Sequence, residues 1–301
     1  MRPAFYQPSG RIPLLVFPAL LACLCLAVAG ALAYAWMSAR AGWCLSSITL
    51  VVFCFWLDLI VKTAGRLAKV RNPVTMKEFG IVVGLFGWAS QWLFWIAFAA
   101  YQSASNAPGH AVSIPIAGLL AHPSALWEGF QAALAATGWG EDMDVDLLRC
   151  LGWLVECSLL LTVACDAGRR QAGMPFCEAS DRWASVTRLP YRFAVGPLLQ
   201  VRAEFIAHPE QVLEKLSLKR AHDRFASATL YSGKYEDFMS VDLTEWAYGH
   251  GRRKKEESVV KYLHVPRGAV ERMLERLART PRKAKTVKAK ARRGQARAPS
   301  E

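Results

Sequence analysis

The sequence carries none of the short motifs that mark a common reaction. There is no Walker loop, no G-x-G-x-x-G, no G-x-S-x-G and no H-E-x-x-H. Nothing in the pattern therefore cradles a nucleotide phosphate, presents a nucleophile or holds a zinc ion. The six histidines (110, 122, 208, 222, 250 and 264) have no paired spacing. The eight cysteines form no C-x-x-C, since Cys177 is followed three residues on by Ser180. The other seven, at 23, 25, 44, 54, 150, 157 and 165, lie in or beside apolar stretches, where they act as small apolar residues. Residues 101–146 contain no cysteine, which excludes a disulfide framework there, and no lysine or arginine either. From this inventory no cofactor, no metal site and no enzyme activity is expected.

What is present divides the chain in two. Residues 1–167 carry 9 Lys/Arg against 9 Asp/Glu, and residues 168–301 carry 28 against 15, which accounts for the whole net charge of +13. An apolar content of 53% with 11 tryptophans excludes a disordered chain. A spanning helix needs about 20 mainly apolar residues, at about 1.5 Å each across about 30 Å of hydrocarbon. Four segments qualify: 12–36, 43–61, 79–100 and about 147–166. The first three lack the polar stripe of a soluble core helix. Ala31-Leu32-Ala33 offers the first a signal-peptide cleavage site, but its apolar run is longer than the usual h-region of about 7–15 residues. It is read as a span.

Lysine and arginine in short loops set the orientation. Arg2 and Arg11 precede the first span, Arg40 alone follows it, and Lys62, Arg66, Lys69, Arg71 and Lys77 follow the second. The loop 101–146 holds Glu128, Glu141, Asp142, Asp144 and Asp146. From the alternation both termini are expected to be cytoplasmic and this 46-residue acidic loop outside. Trp36, Trp43, Tyr101 and Trp139 fall at span ends, so the tryptophans are expected to anchor the protein in the membrane rather than stack on a ligand.

Three polar residues interrupt the spans. Asp58 lies four residues before Lys62, on one helix face, and is expected to pair with it. Glu156 falls near the middle of the fourth span, where an acid is costly and by default marks a functional site. Gln91, at matching depth in the third span, is its expected partner, the acid donating to the amide carbonyl. Helix–helix adhesion is one role for Glu156, and a proton relay or substrate contact is the other. Gly80, Gly84 and Gly87 have the spacing that lets helices pack closely.

In the outer loop a helix is expected from Ser124 to about Thr137. The run Glu141–Asp146 resembles a calcium loop but has Leu147 where glycine is required, so it reads as a solvated acidic stretch. Beyond the spans, residues 168–200 read as a juxtamembrane hinge and 201–280 as a small α+β domain. Its strands are expected at 224–231 and 238–247, and its last helix at 267–280. Arg282, Lys283, Lys285, Lys288, Lys290, Arg292, Arg293 and Arg297 form a basic tail with almost no large apolar residue, expected to be disordered and to bind anionic lipid headgroups. It lacks the interleaved aromatics of a nucleic-acid binder.

Several strings together resemble a family of uncharacterised bacterial multi-pass, four-span membrane proteins. They are Phe5-Tyr6-Gln7-Pro8-Ser9-Gly10, Lys69-Val70-Arg71-Asn72-Pro73, Trp153 with Glu156, and Pro175-Phe176-Cys177-Glu178 with Trp183. The resemblance covers about residues 5–185. It implies a second cysteine at position 180, where this chain has Ser180, so a metal or redox role there is not expected. The expected fold class is mostly α: a four-helix transmembrane bundle, a small cytoplasmic α+β domain and a disordered basic C-terminal tail. The expected function is a membrane-anchored interaction or scaffold protein that presents this domain to a cytoplasmic protein partner, or to a second copy in a homo-oligomer. The alternative is a small transport or proton-coupled membrane component using Glu156.

Overall fold

A computed structural model of the protein describes residues 5–40, 43–105, 123–136, 140, 143–194, 198–215, 224–247 and 253–279. The chain is mostly helical, with a small sheet region, and divides into two compact units. Residues 7–176 form a helical unit, and Phe5 and Tyr6 join the residues from Cys177 onward in a sheet unit.

The helical unit contains α1 (Val16–Arg40), α2 (Trp43–Leu67), α3 (Pro73–Ser105), the shorter α4 (Pro123–Ala136) and α5 (Met143–Ala172). All but α4 are long and apolar enough to cross a membrane. α1 and α5 each pack against both α2 and α3, so α1 and α5 stand diagonally opposite. The seam of α1 is made of small residues: Cys23, Ala27, Ala31 and Ala35, four apart and buried. Pro18 sits in the first turn of α1, where an N–H has no intrahelical partner to lose.

The short turn from α2 to α3 is fully capped. Lys69 adopts a left-handed φ of 52°, and Val70 and Lys69 donate their N–H groups to Gly65 O and Arg66 O, closing a Schellman motif. Asn72 Oδ1 then accepts the N–H groups of Val74 (3.0 Å) and Thr75 (3.2 Å), with Pro73 at the first helical position. This cap starts α3 six residues before the apolar run begins at Phe79. At the same end of the unit, Gly10 donates to Arg71 O, Arg71 donates to Arg11 O, and the Arg71 guanidinium lies 4.3 Å over the Phe176 ring.

The start of α5 also precedes its apolar run. Asp144 and Asp146 occupy its first turn, where the helix dipole favours acids, and Asp146 Oδ2 accepts the Gly140 N–H at 2.7 Å. Its other end runs on to Ala172, supported by the Asp166–Arg170 pair one turn apart. The helix therefore occupies the first residues of the expected hinge, and the division between units falls at Phe176/Cys177.

In the sheet unit, β1 (Phe176–Cys177), a single 3-10 turn (Glu178–Ser180) and β2 (Arg182–Trp183) lead into an antiparallel sheet. Its strand order is β3 (Ser185–Arg188), β4 (Arg224–Ser232), β5 (Asp237–Ala247), β6 (Arg253–Val265). The sheet thus holds two strands beyond the two expected. β3 is fully exposed and shows no alternation. β6 opens on five charged residues and carries adjacent Val259 and Val260, both buried, so its period of two is broken. The helices α6 (Leu198–Ala207), α7 (Pro209–Lys215) and α8 (Arg267–Arg279) complete the unit. Its core joins Phe193, Phe205, Leu213, Met239, Val241, Leu263 and Met273.

A bulge marks the outer edge of this sheet. Tyr262 has a φ of 54°, its N–H donates to Ser240 Oγ at 3.0 Å, and its carbonyl accepts the Tyr6 N–H at 2.9 Å. Phe5 bridges Leu263, so the first described residues of the chain extend the sheet next to β6.

Candidate functional site

The bundle is tight at one end and wedged open at the other. At the tight end Gly80 lies against the backbone of Ala164 and Cys165, and Gly168 against the backbone of Met76, so a β-carbon at either would collide. Gly84 faces Leu160 and Leu161 of α5, and Gly87 faces Phe53 and Leu57 of α2 and Ala27 of α1. All three α3 glycines thus make contacts within the chain. At the wedged end, the Trp92 ring is met edge-on by Trp153 (4.8 Å), Trp95 (5.4 Å), Phe130 of α4 (6.0 Å) and Trp88 (6.3 Å). These tryptophans gather into one cluster inside the unit. Spacing along the sequence picks out only the aromatic residues at span ends, because ring contacts between different helices leave no mark in it.

Beside that cluster the four long helices line an open cavity of about 490 Å³. It exists because the residues facing it are small on three helices: Ala35 and Ser38 on α1, Ser46 and Ser47 on α2, and Gly152 on α5. A β-carbon placed on Gly152 would meet nothing within 4 Å. Trp92, Trp95 and Trp153 supply indole walls. A volume of this size falls in the range of ligand pockets, about 300–1,000 Å³.

Glu156 lines the cavity, and two donors from different helices converge on its Oε1. Tyr34 Oη donates from α1 at 2.7 Å, and Gln91 Nε2 donates from α3 at 2.6 Å. The pairing with Gln91 has the opposite polarity to the expected one: the amide donates and the carboxyl accepts. Gln91 Oε1 is left buried without a hydrogen bond, and so is Trp92 Nε1. Gln91 itself is 4% exposed. Tyr34 went unnoticed in the sequence because a tyrosine near the end of a span reads as an interface residue. Its link to Glu156 crosses the bundle diagonal. Among the described residues Glu156 has no ion pair. Arg149, two turns away on the same face, is engaged by Asp146 at 3.0 Å.

The other sequence-predicted residues lie elsewhere. Asp58 Oδ2 accepts from Lys62 Nζ at 2.7 Å, on a half-exposed face away from the cavity. The basic residues from Arg282 to Arg297 lie outside the described residues, as do most of 101–122.

A second chemically distinct position is Cys177. Burial pushes its thiol up. Donors from Ser180, both side chain and backbone, and from the backbone of Tyr235 and Lys234 outweigh this and hold it below the ordinary thiol range. Gly233, in the β4–β5 turn, is required there: a β-carbon would come within 3.2 Å of Cys177 Cβ and 2.9 Å of Glu236 O. Arg267, at the start of α8, clamps the same turn by donating to Lys234 O and Gly233 O, and lies 3.5 Å from Asp237.

No protein-family model matches the chain, and no curated protein or solved structure is similar to it.

Proposed function

We propose that the protein is a four-span membrane component that works through Glu156, as a small transport or proton-coupled element of the bacterial inner membrane. The single observation that carries this reading is the position of the carboxyl, on the wall of a cavity reached from all four long helices and hydrogen-bonded to two of them. A residue serving only to hold helices together would be fully packed, with no cavity beside it. Intramembrane acids that face a cavity mark ion and substrate paths. Four spans without an evident inverted repeat fall short of a complete secondary transporter, so the protein acts as a component or a homo-oligomer.

In this reading both termini are cytoplasmic. The positive-inside distribution supports that orientation, and so does the convergence of Gly10, Arg71 and Phe176 at one end of the helical unit, since it brings the chain in and out on the same side. The basic residues Arg282–Arg297 then lie beside anionic headgroups, at about 1 kcal/mol for each residue near the surface. A membrane-anchored scaffold is the second reading. The separate core of the sheet unit favours it, because a body with its own core can be presented to a partner.

The test is flux. Full-length protein in liposomes with an imposed pH gradient and a trapped pH-sensitive dye is expected to dissipate the gradient faster than empty vesicles, and Glu156→Gln to return the rate to that of empty vesicles. Equal rates for the native protein and Glu156→Gln would remove the proton-coupled reading and leave the scaffold.

A further inference from the structure

The cavity beside Glu156 has a chemical bias that narrows what it accepts. The one acid on its wall has no ion pair among the described residues. Glu156 receives two neutral donors, both on Oε1, while Gln91 Oε1 is buried and receives none. Arg149 also lines the cavity, and its guanidinium is engaged by Asp146 at 3.0 Å. An acid in an apolar bundle with no ion pair of its own is costly when charged, and a ligand that carries positive charge lowers that cost. Indoles favour the same charge, because the negative face of an aromatic ring attracts cations, tryptophan most strongly. An anionic ligand would meet Glu156 with like charge. A neutral one would bring no charge to pair with the acid. A quaternary ammonium would satisfy the charge without a hydrogen bond, whereas a primary or secondary ammonium has N–H groups to give the carboxyl.

We propose that the cavity between the four long helices binds a small organic cation, a primary or secondary ammonium on an apolar body, with its N–H groups on Glu156 and its body against Trp92, Trp95 and Trp153. This rests on reading the Glu156 cavity as a working site, and it adds the ligand class to that reading. Tyr34 is the positioning residue: its hydroxyl fixes one carboxyl oxygen and leaves the other for the ligand.

The probe is 2-phenylethylammonium, titrated calorimetrically into the full-length protein in lipid nanodiscs. The comparisons are 2-phenylethanol, which has the same body without the charge, and phenylacetate. The amine is expected to bind saturably, at least tenfold more tightly than the alcohol, and phenylacetate not at all. Glu156→Gln should weaken the amine at least tenfold. Gly152→Leu guards against a variant that simply fails to fold. Its side chain enters open space on a helix, so it should raise thermal stability while abolishing binding. Equal affinity for amine and alcohol, binding unchanged in folded Gly152→Leu, or no saturable heat with any probe, as for a cavity holding water only, would each overturn the proposal. Its failure is separable from that of the proton-coupled reading. If Glu156-dependent proton flux persists without amine binding, only the ligand class falls.

Discussion

Single side chains decide the behaviour of both units. In the helical unit the Tyr34 hydroxyl is one of two donors on Glu156, and it joins helices that otherwise hardly touch. Interhelical hydrogen bonds of this kind contribute about 0.6–1.5 kcal/mol. Tyr34→Phe is therefore expected to lower stability by about 1 kcal/mol in an SDS unfolding titration while leaving helix content unchanged. In the sheet unit Tyr262 is the residue to titrate. Burial, together with the neighbouring Tyr231, pushes its phenol up to about 12, from about 10 in an unfolded chain. A group raised in the folded state supports folding below its unfolded value and loses that support as pH climbs to the folded one. The sheet unit should lose stability between about pH 10 and about pH 12, followed by far-ultraviolet circular dichroism, and Tyr262→Phe should flatten that slope. Glu156, Gln91 and Asp58 could be picked out from the sequence because a polar residue inside an apolar run is conspicuous. Tyr34 could not, since what distinguishes it is a partner 122 positions away.

Elements were legible where local chemistry decides them. The four long helices follow from apolar length, and α4, β4, β5 and α8 follow from their periodicity to within a residue or two at each end. Two of the ends that moved are set by local chemistry at the helix start: Asn72-Pro73 extends α3 and the acidic first turn extends α5. The missed strands, β3 and β6, are defined by what they pair with. β3 is exposed and short, and the alternation of β6 is interrupted by its bulge. The α2–α3 turn offers a test at this scale. Lys69 occupies the left-handed position that glycine fills without steric cost, against about 1–2 kcal/mol for other residues. Lys69→Gly should raise the thermal midpoint, with a gain below about 1 kcal/mol because glycine also frees the unfolded chain. A fall would mean that the lysine side chain holds the turn more firmly than its backbone strains it.

At the level of the molecule, the candidate site needed the fold to become visible. Depth along a span pairs Glu156 with Gln91, but only the packing order of the helices brings Tyr34 and the indoles to the same place. Only the small residues of three helices taken together make the space. The tight end and the open end are also complementary. Glycine contacts fix α3 against α5 near Ala164, and the tryptophans hold the same two helices apart near Gly152. The first residues of the chain show a different long-range dependence. Tyr6 donates its N–H to Tyr262, and Phe5 bridges Leu263. On a ribosome adding about 5–20 residues per second, that partner arrives roughly 13–50 s after the leader end has emerged. Throughout that interval Phe5 and Tyr6 stay tethered without the strand they join in the folded unit. The last strand to be synthesised is thus the one that retires the first segment, and a nascent chain released early would keep that segment open to whatever else can pair with it.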